Sequence, residues 1–180
     1  MNETLCLVDS NILIRWVQPS DPDYPVVGAA LDTLAQQDMT LCYTSQNLAE
    51  FWNACTRPTI RNGYGLSPAE TDRRAQFFEA RLRLLPDSLL VHEEWRRLLV
   101  AYRVSGVQVH DTRLAAAMYV HGVKQILTFN TRDFTRFTGI EALGHLGSNP
   151  VSMSALAVIH SLRYSPWDLN YSALEEHGRL

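Results

Sequence analysis

The sequence predicts an α/β fold: a three-layer helix–sheet–helix sandwich around a central, mainly parallel sheet. Three observations carry that prediction. TLCLV (4–8), MTLCYT (39–44) and KQILTFN (124–130) are short apolar runs of the kind that form buried strands. Longer segments with apolar residues three and four apart lie between them and read as helices. Strands joined through helical crossovers pair in parallel, because no tight turn links them.

The elements follow in order. SNILIRWV (10–17) starts a helix behind the first strand, with Asp9 or Ser10 as its cap. QPSDPDYP (18–25) is a loop dense in Pro and Asp, and VVGAALDTLAQQ (26–37) is a helix. SQNLAEFWNACT (45–56) reads as a helix with Ser45 near its cap, ended by Arg57-Pro58. RPTIRNGYGLS (57–67) is a loop. The next segment, 67–85, places Ser67 at a cap, Pro68 in the first turn and Glu70 three beyond the cap, a capping-box pattern. In 91–106, Trp95, Leu98, Leu99 and Tyr102 stack on one helical face and Gly106 closes it; Gly122 closes a helix over 110–122. No internal repeat is visible. The boundary falls near residue 143: 1–143 reads as one domain, and 144–180, with Ser, Gly, Pro and one weak apolar stretch, as a C-terminal extension. A packed terminal helix, a partner-binding arm and a partly disordered tail all fit that composition.

Bulk numbers bound the function. A chain of 180 residues that is 46% hydrophobic and 19% charged has material for a real core. A formal net charge of −3 makes no global case for nucleic acid, so any such contact rests on local patches. Cys6, Cys42 and Cys55 form no C-x-x-C pair and sit among apolar residues, as buried thiols of a reducing compartment do. Glu3 stands where a secretory leader would be basic, and no apolar run is long enough to span a bilayer. The expectation is a soluble, cytoplasmic protein with no membrane contact.

Four acids stand out. Asp9 follows the first strand, Glu50 lies in the helix after the second, Asp111 opens the helix at 110, and Asp133 follows the third strand. Taken singly, each has an ordinary reading: Asp9 and Asp111 as helix caps, Asp133 as a turn residue, Glu50 as a solvated side chain. Glu50 is flanked by Leu48, Ala49, Phe51 and Trp52, an apolar setting for such a role. Jointly, four acids on the sheet edge where α/β sites form are harder to explain by capping. Carboxylates brought together repel and take up protons unless a cation is present. A hard divalent ion, Mg²⁺ or Mn²⁺, suits an all-oxygen set; no Cys/His spacing supports zinc. Ser10, Asn11, Thr128 and Asn130 are short polar neighbours suited to orienting water or substrate, and equally to capping and turns. His110 is a packing or neighbouring residue more often than a base. Arg15, Arg57, Arg61, Arg113 and Arg132 suit phosphates or a solvated face. Trp16, Trp52 and Trp95 lie on apolar helical stripes and read as core.

LVDSNIL, QNLAEFWNACTRP, VHDTRLAAAM and ILTFNTRDF, in that order from about residue 4 to about 140, resemble PIN-domain proteins, in particular toxin ribonucleases of the VapC type. The resemblance implies a PIN-like sandwich and a Mg²⁺- or Mn²⁺-dependent endoribonuclease, with water attacking the phosphodiester. It makes Asp9 and Asp111 the principal metal ligands, with Glu50 and Asp133 completing the acidic site. Thr128 and Asn130 match the polar positions of the family's last motif, and with Asn11, from the residue reading, they are the candidate water- or substrate-orienting residues. It further implies an RNA substrate, a homodimer and a cognate antitoxin of a type II pair. The extension after residue 143 departs from a compact PIN domain. Two other readings stand beside it: an aspartyl-nucleophile phosphatase, disfavoured by Asn11 where a second acid belongs, and a non-catalytic PIN-like scaffold for RNA or protein. A PIN nuclease that is no toxin is a further alternative.

Overall fold

Cys6, Leu7 and Val8 have no exposed surface, and a strand covered on both faces must be apolar at every position. Cys6 and Val8 pack with Ile12, Leu13, Leu31, Phe51 and Phe78, while Leu7, between them, packs with Leu98, Leu114, Met118 and Phe134. The alternation of period two therefore sends neighbouring residues into two separate cores, one on each side of the sheet.

The computed structural model describes residues 4–144, so the extension expected over 144–180 lies outside the described residues, Gly144 excepted. The strands are β1 (Thr4–Val8), β2 (Met39–Thr44), β3 (Arg83–Leu85), β4 (Gln125–Leu127) and β5 (Glu141–Leu143). The helices are α1 (Ser10–Trp16), α2 (Tyr24–Gln36), α3 (Ser45–Thr56), α4 (Pro68–Glu79), α5 (Leu89–Ala101), α6 (Gln108–His121) and α7 (Thr131–Phe134). The order across the sheet is β3-β2-β1-β4-β5, and every pairing is parallel. The chain builds one flank of β1 first, through β2 and β3, then crosses to the other through β4. The order thus reverses at the β1–β4 seam, where α/β sheets open a crevice at their carboxyl ends.

Residues of α1 to α4 supply the core on one face and residues of α5 to α7 the core on the other. Phe51 on α3 meets Phe78 on α4 edge to face at 5.1 Å and is fully buried. Truncating it costs about 3–5 kcal/mol and loosens the helix that carries Glu50. Gly122 ends α6 with φ of 70°, a left-handed conformation in which a side chain is strained. All three cysteines are buried, and burial pushes the Cys6 thiol up to about 12 and Cys55 up to about 11, so neither of these two is a reactive thiolate. Among the described residues, no helix is long and apolar enough to cross a membrane.

The sandwich is as expected, and the sheet is wholly parallel rather than mainly so. Several local expectations give way. The helix over 67–85 ends at Glu79, and its last three residues are β3. Strand β5 was not foreseen. The strand over 124–130 shortens to Gln125–Leu127, and TRDF forms the short helix α7 in place of a simple turn. The helix over 91–106 runs from Leu89 to Ala101, with Tyr102 rather than Gly106 at its end. Thr44, not Ser45, caps α3: its hydroxyl accepts from the Asn47 N–H, and the Asn47 side chain accepts from the Thr44 N–H. Ser67 does cap α4, but the Glu70 carboxylate turns to Arg73 and Arg74 instead of closing the box.

Candidate active site

Asp9 is the last residue before α1 and the hinge between that helix and β1. Its backbone is extended and its N–H donates to the Leu127 carbonyl at 3.0 Å, which fastens β1 to β4 at the seam. Its carboxylate accepts from the Ser10 N–H at 2.6 Å, from Asn11 Nδ2 at 2.9 Å and from Thr128 Oγ1 at 2.6 Å. So Asp9 is indeed a cap, and more than a cap. Asn11 also donates to Thr128 Oγ1 and accepts from the Phe129 N–H, while the Asn130 N–H donates to Thr128 Oγ1. Asn11 and Thr128 thus touch Asp9 directly; Asn130 takes part through its backbone N–H. Asp9 is only 7% exposed, and burial pushes its carboxyl up to about 6. The Thr128 and Ser10 hydrogen bonds pull it down, and the charges of Glu50 and Asp111 push it further up.

Glu50 reaches the same edge from α3. Its Oε2 accepts from Ser10 Oγ at 2.6 Å and its Oε1 from Gln46 Nε2 at 2.7 Å. Gln46 Nε2 also donates to the His110 carbonyl at 3.0 Å, and Asn47 Nδ2 donates to Ser10 Oγ at 3.2 Å. Gln46 and Asn47 escaped the sequence reading. For Gln46 a signal existed, since Gln46 and Glu50 are four apart and share a helical face. Its second partner lies on another helix and left no local trace.

Asp111 is the fourth residue of α6, which begins at Gln108, so it lies in the first turn rather than at the cap. Its carboxyl is pushed up to about 6 by burial first, then by Asp133 and Glu50; His110 and Arg136 pull it down. Arg136, also unforeseen, is held near α6 by a bond to Gln108 Oε1 at 2.8 Å. Asp133 sits on α7. The four acids therefore form one electrostatic chain, Asp133 to Asp111 to Glu50 to Asp9.

The donor set is all oxygen, partly buried and mutually repelling, which is the chemistry a hard divalent cation relieves. The residues present fit such an ion by type. Asp9 and Glu50 direct their oxygens to protein donors, and among the described residues no group of three or more His, Cys, Asp or Glu is disposed to hold a metal ion. Arg15 is engaged by Asp23 and lies over Phe129, and Arg57 donates to Asn62 in its own loop. Arg113 pairs with Asp87 and, with Glu50, Gln46 and His110, lines a cavity of about 330 Å³ beside the acids. A cavity of about 710 Å³ opens at the opposite ends of the strands, around Thr4, Lys124 and Glu141, and holds none of the four acids. Size does not decide between them; the charges do.

Residues 6–140 match the family model of the PIN domain. The chain belongs to the PIN domain family. No curated protein sequence is significantly similar to it. Among solved structures, this PIN chain is similar to VapBC2 from Rickettsia felis, bound to a DNA fragment from its promoter. The TM-score is 0.61 at 16% identity, over 78% of this chain and 98% of that one. The DNA-bound VapBC of Salmonella typhimurium gives 0.59 at 17%, over 78% and 98%. VapC20 of Mycobacterium tuberculosis, described as a sarcin-ricin loop cleaving toxin, gives 0.51 at 15%, over 67% and 86%. At such identities the likeness is one of fold.

Proposed function

We propose that this PIN protein is a Mg²⁺- or Mn²⁺-dependent endoribonuclease that cleaves RNA phosphodiesters with water, and the toxin of a type II toxin–antitoxin pair. It acts in the cytoplasm as a homodimer held in check by a cognate antitoxin. One observation carries the reading: Asp9, Glu50, Asp111 and Asp133, dispersed along the chain, form one electrostatic chain at the carboxyl edge of the sheet. The toxin half of the reading is supported by the fold shared with VapBC complexes and with an RNA-cleaving toxin.

Asp9 and Asp111 would hold the ion, with Glu50 and Asp133 around it. A bound divalent cation supplies Lewis acidity, lowering the pKa of water and offsetting charge on the phosphodiester. The chain's own residues do the rest. Thr128, Asn11 and the Ser10 N–H fix both Asp9 oxygens, so this carboxylate needs little reorganisation on loading. Ser10 and Gln46 fix Glu50 in the same way, leaving its charge available to orient water at the cavity mouth. Without a cation, carboxyls pushed up to about 6 hold protons below about pH 6, and loading there must expel them.

The non-catalytic scaffold finds support in the hydrogen-bonded poses of Asp9 and Glu50, which direct their oxygens to protein donors. The deciding experiment is cleavage of structured RNAs by purified protein with Mg²⁺ or Mn²⁺, beside Asp9→Asn. The ribonuclease reading expects divalent-dependent cleavage that the variant loses. Equal cleavage by both proteins, or calorimetry showing no divalent binding, would overturn it.

A further inference from the structure

The cavity beside Glu50 does not stand alone. A second one, of about 380 Å³, shares Asp87, His110 and Arg113 with it and runs on between α5 and α6. Val91, Trp95 and Val109 make its apolar wall; His92, His110 and Arg113 are its polar rim. The two cavities form one trough that leads from an acid of the cluster to an indole.

Trp95 read from sequence as a core residue, and one side of it is: it packs against the core that holds Leu98 and Leu114. Its remaining surface bounds the trough. Three contacts fix the ring. Trp95 Nε1 donates to the Val109 carbonyl at 3.1 Å, the His92 ring meets it edge to face at 6.3 Å, and the Arg113 guanidinium stands 6.0 Å from its centroid. A half-buried, immobilised indole is a stacking platform whose ordering has already occurred. Arg113 sits at the junction of the two cavities, where Asp87 holds it at 3.0 Å. A phosphate entering there competes for the same guanidinium.

We infer that this trough seats one unpaired RNA nucleotide adjacent to the scissile phosphate, its base against Trp95 and its phosphate at Arg113. The inference rests on the ribonuclease reading above. A nucleobase has the matching chemistry: flat apolar faces for the indole and Val91, and a polar edge for the histidine rim. The next phosphate along the strand then falls towards Glu50. Duplex RNA keeps its bases stacked inside and presents none to such a wall, so the trough selects single-stranded substrate.

The test is binding of a short, fluorophore-labelled single-stranded RNA in EDTA, read by anisotropy, with one abasic site moved along the strand. The wild type loses roughly tenfold or more in affinity at one abasic position. Trp95→Leu binds intact RNA more weakly by a similar factor and no longer feels that abasic site, whereas Trp95→Phe restores most of the coupling. Should Trp95→Leu not fold by circular dichroism, wild-type indole fluorescence decides: intact RNA quenches it and the abasic strand does not. Two results overturn the inference: an abasic penalty undiminished in Trp95→Leu, or no penalty at any position, as expected if a protein side chain occupies the trough. Cleavage with Mg²⁺ is followed in parallel. Cleavage without Trp95 coupling sinks the inference and spares the ribonuclease reading; neither binding nor cleavage sinks both.

Discussion

Asp9 accepts three hydrogen bonds and Glu50 two, whereas neither Asp111 nor Asp133 accepts one from the described residues. The two sides of the acid cluster are built on different principles. Around β1, α1 and α3, polar side chains, Thr128 from beyond β4 among them, lock the carboxylates in place. On α6 and α7 the acids are held only by their helices. Asp9 and Asp111 nonetheless arrive at the same elevated pKa of about 6, the first through near-complete burial against its own hydrogen bonds, the second through burial and acidic neighbours. On the proposed reading, a divalent cation would meet one half already positioned and one half that must adjust to it.

The largest expected effect removes that distinction. Asp9→Asn and Asp111→Asn should each reduce divalent-dependent RNA cleavage by more than about a hundredfold, since on the proposed reading both sides hold the ion. Single-turnover cleavage assays would show whether Asp111→Asn is spared; if it is, the site lives on the locked side alone.

Thr128→Val separates the halves. Loss of its hydroxyl should weaken Mn²⁺ binding by about ten- to a hundredfold, as neighbours that orient metal ligands do, and cost about 1–3 kcal/mol in urea unfolding by depriving buried Asp9 of a donor. Asp133→Asn, which takes charge away from beside Asp111, should leave stability equal or raise it. If both variants destabilise alike by urea melts, the contrast between the halves fails.

Stability against pH gives a third measurement, and its sign is fixed. Asp9 and Asp111 have folded values of about 6 against an ordinary 3.8, so between those values the folded state binds more protons than the unfolded one. Metal-free protein should therefore lose stability as pH rises from about 4 to about 6 and change little from these groups above that. For Asp9 the ceiling is about 3 kcal/mol. Saturating Mn²⁺ should flatten or invert the slope in thermal melts, because it stabilises the charged forms.

The smallest effect concerns Arg136. Replacing it with Gln removes a positive charge that pulls Asp111 down, so the acid limb of the pH–cleavage profile should move slightly upward. A profile that moves downward would mean that Arg136 does not act on Asp111 through charge.

Much of the fold was legible because its signals are local. TLCLV and MTLCYT are buried strands by composition alone, and α3 runs from Ser45 to Thr56 as its apolar spacing indicates. The missed strands β3 and β5 are three residues each, too short for any periodicity, and become strands only by pairing with β2 and β4. Thr44 and Ser45 are equally good caps on paper; the Asn47 side chain, closing back on the Thr44 N–H, selects the first. Asp111 looked like a cap because the turn at Gly106 and Val107 starts its helix earlier without any side-chain cap.

The order of apolar runs, the position of an acid behind each of three strand or helix junctions, and the family to which that order belongs are properties of the chain as a string. They follow from short-range rules of strand burial and helix initiation. What the string does not contain is the environment of each acid. Thr128 meets Asp9 across 119 positions, and Gln46 meets the His110 carbonyl across 64. Burial and Coulomb repulsion act through distance in space, so only the folded sheet makes Asp9 a carboxyl of about 6 and turns Trp95 from a core residue into the wall of a trough.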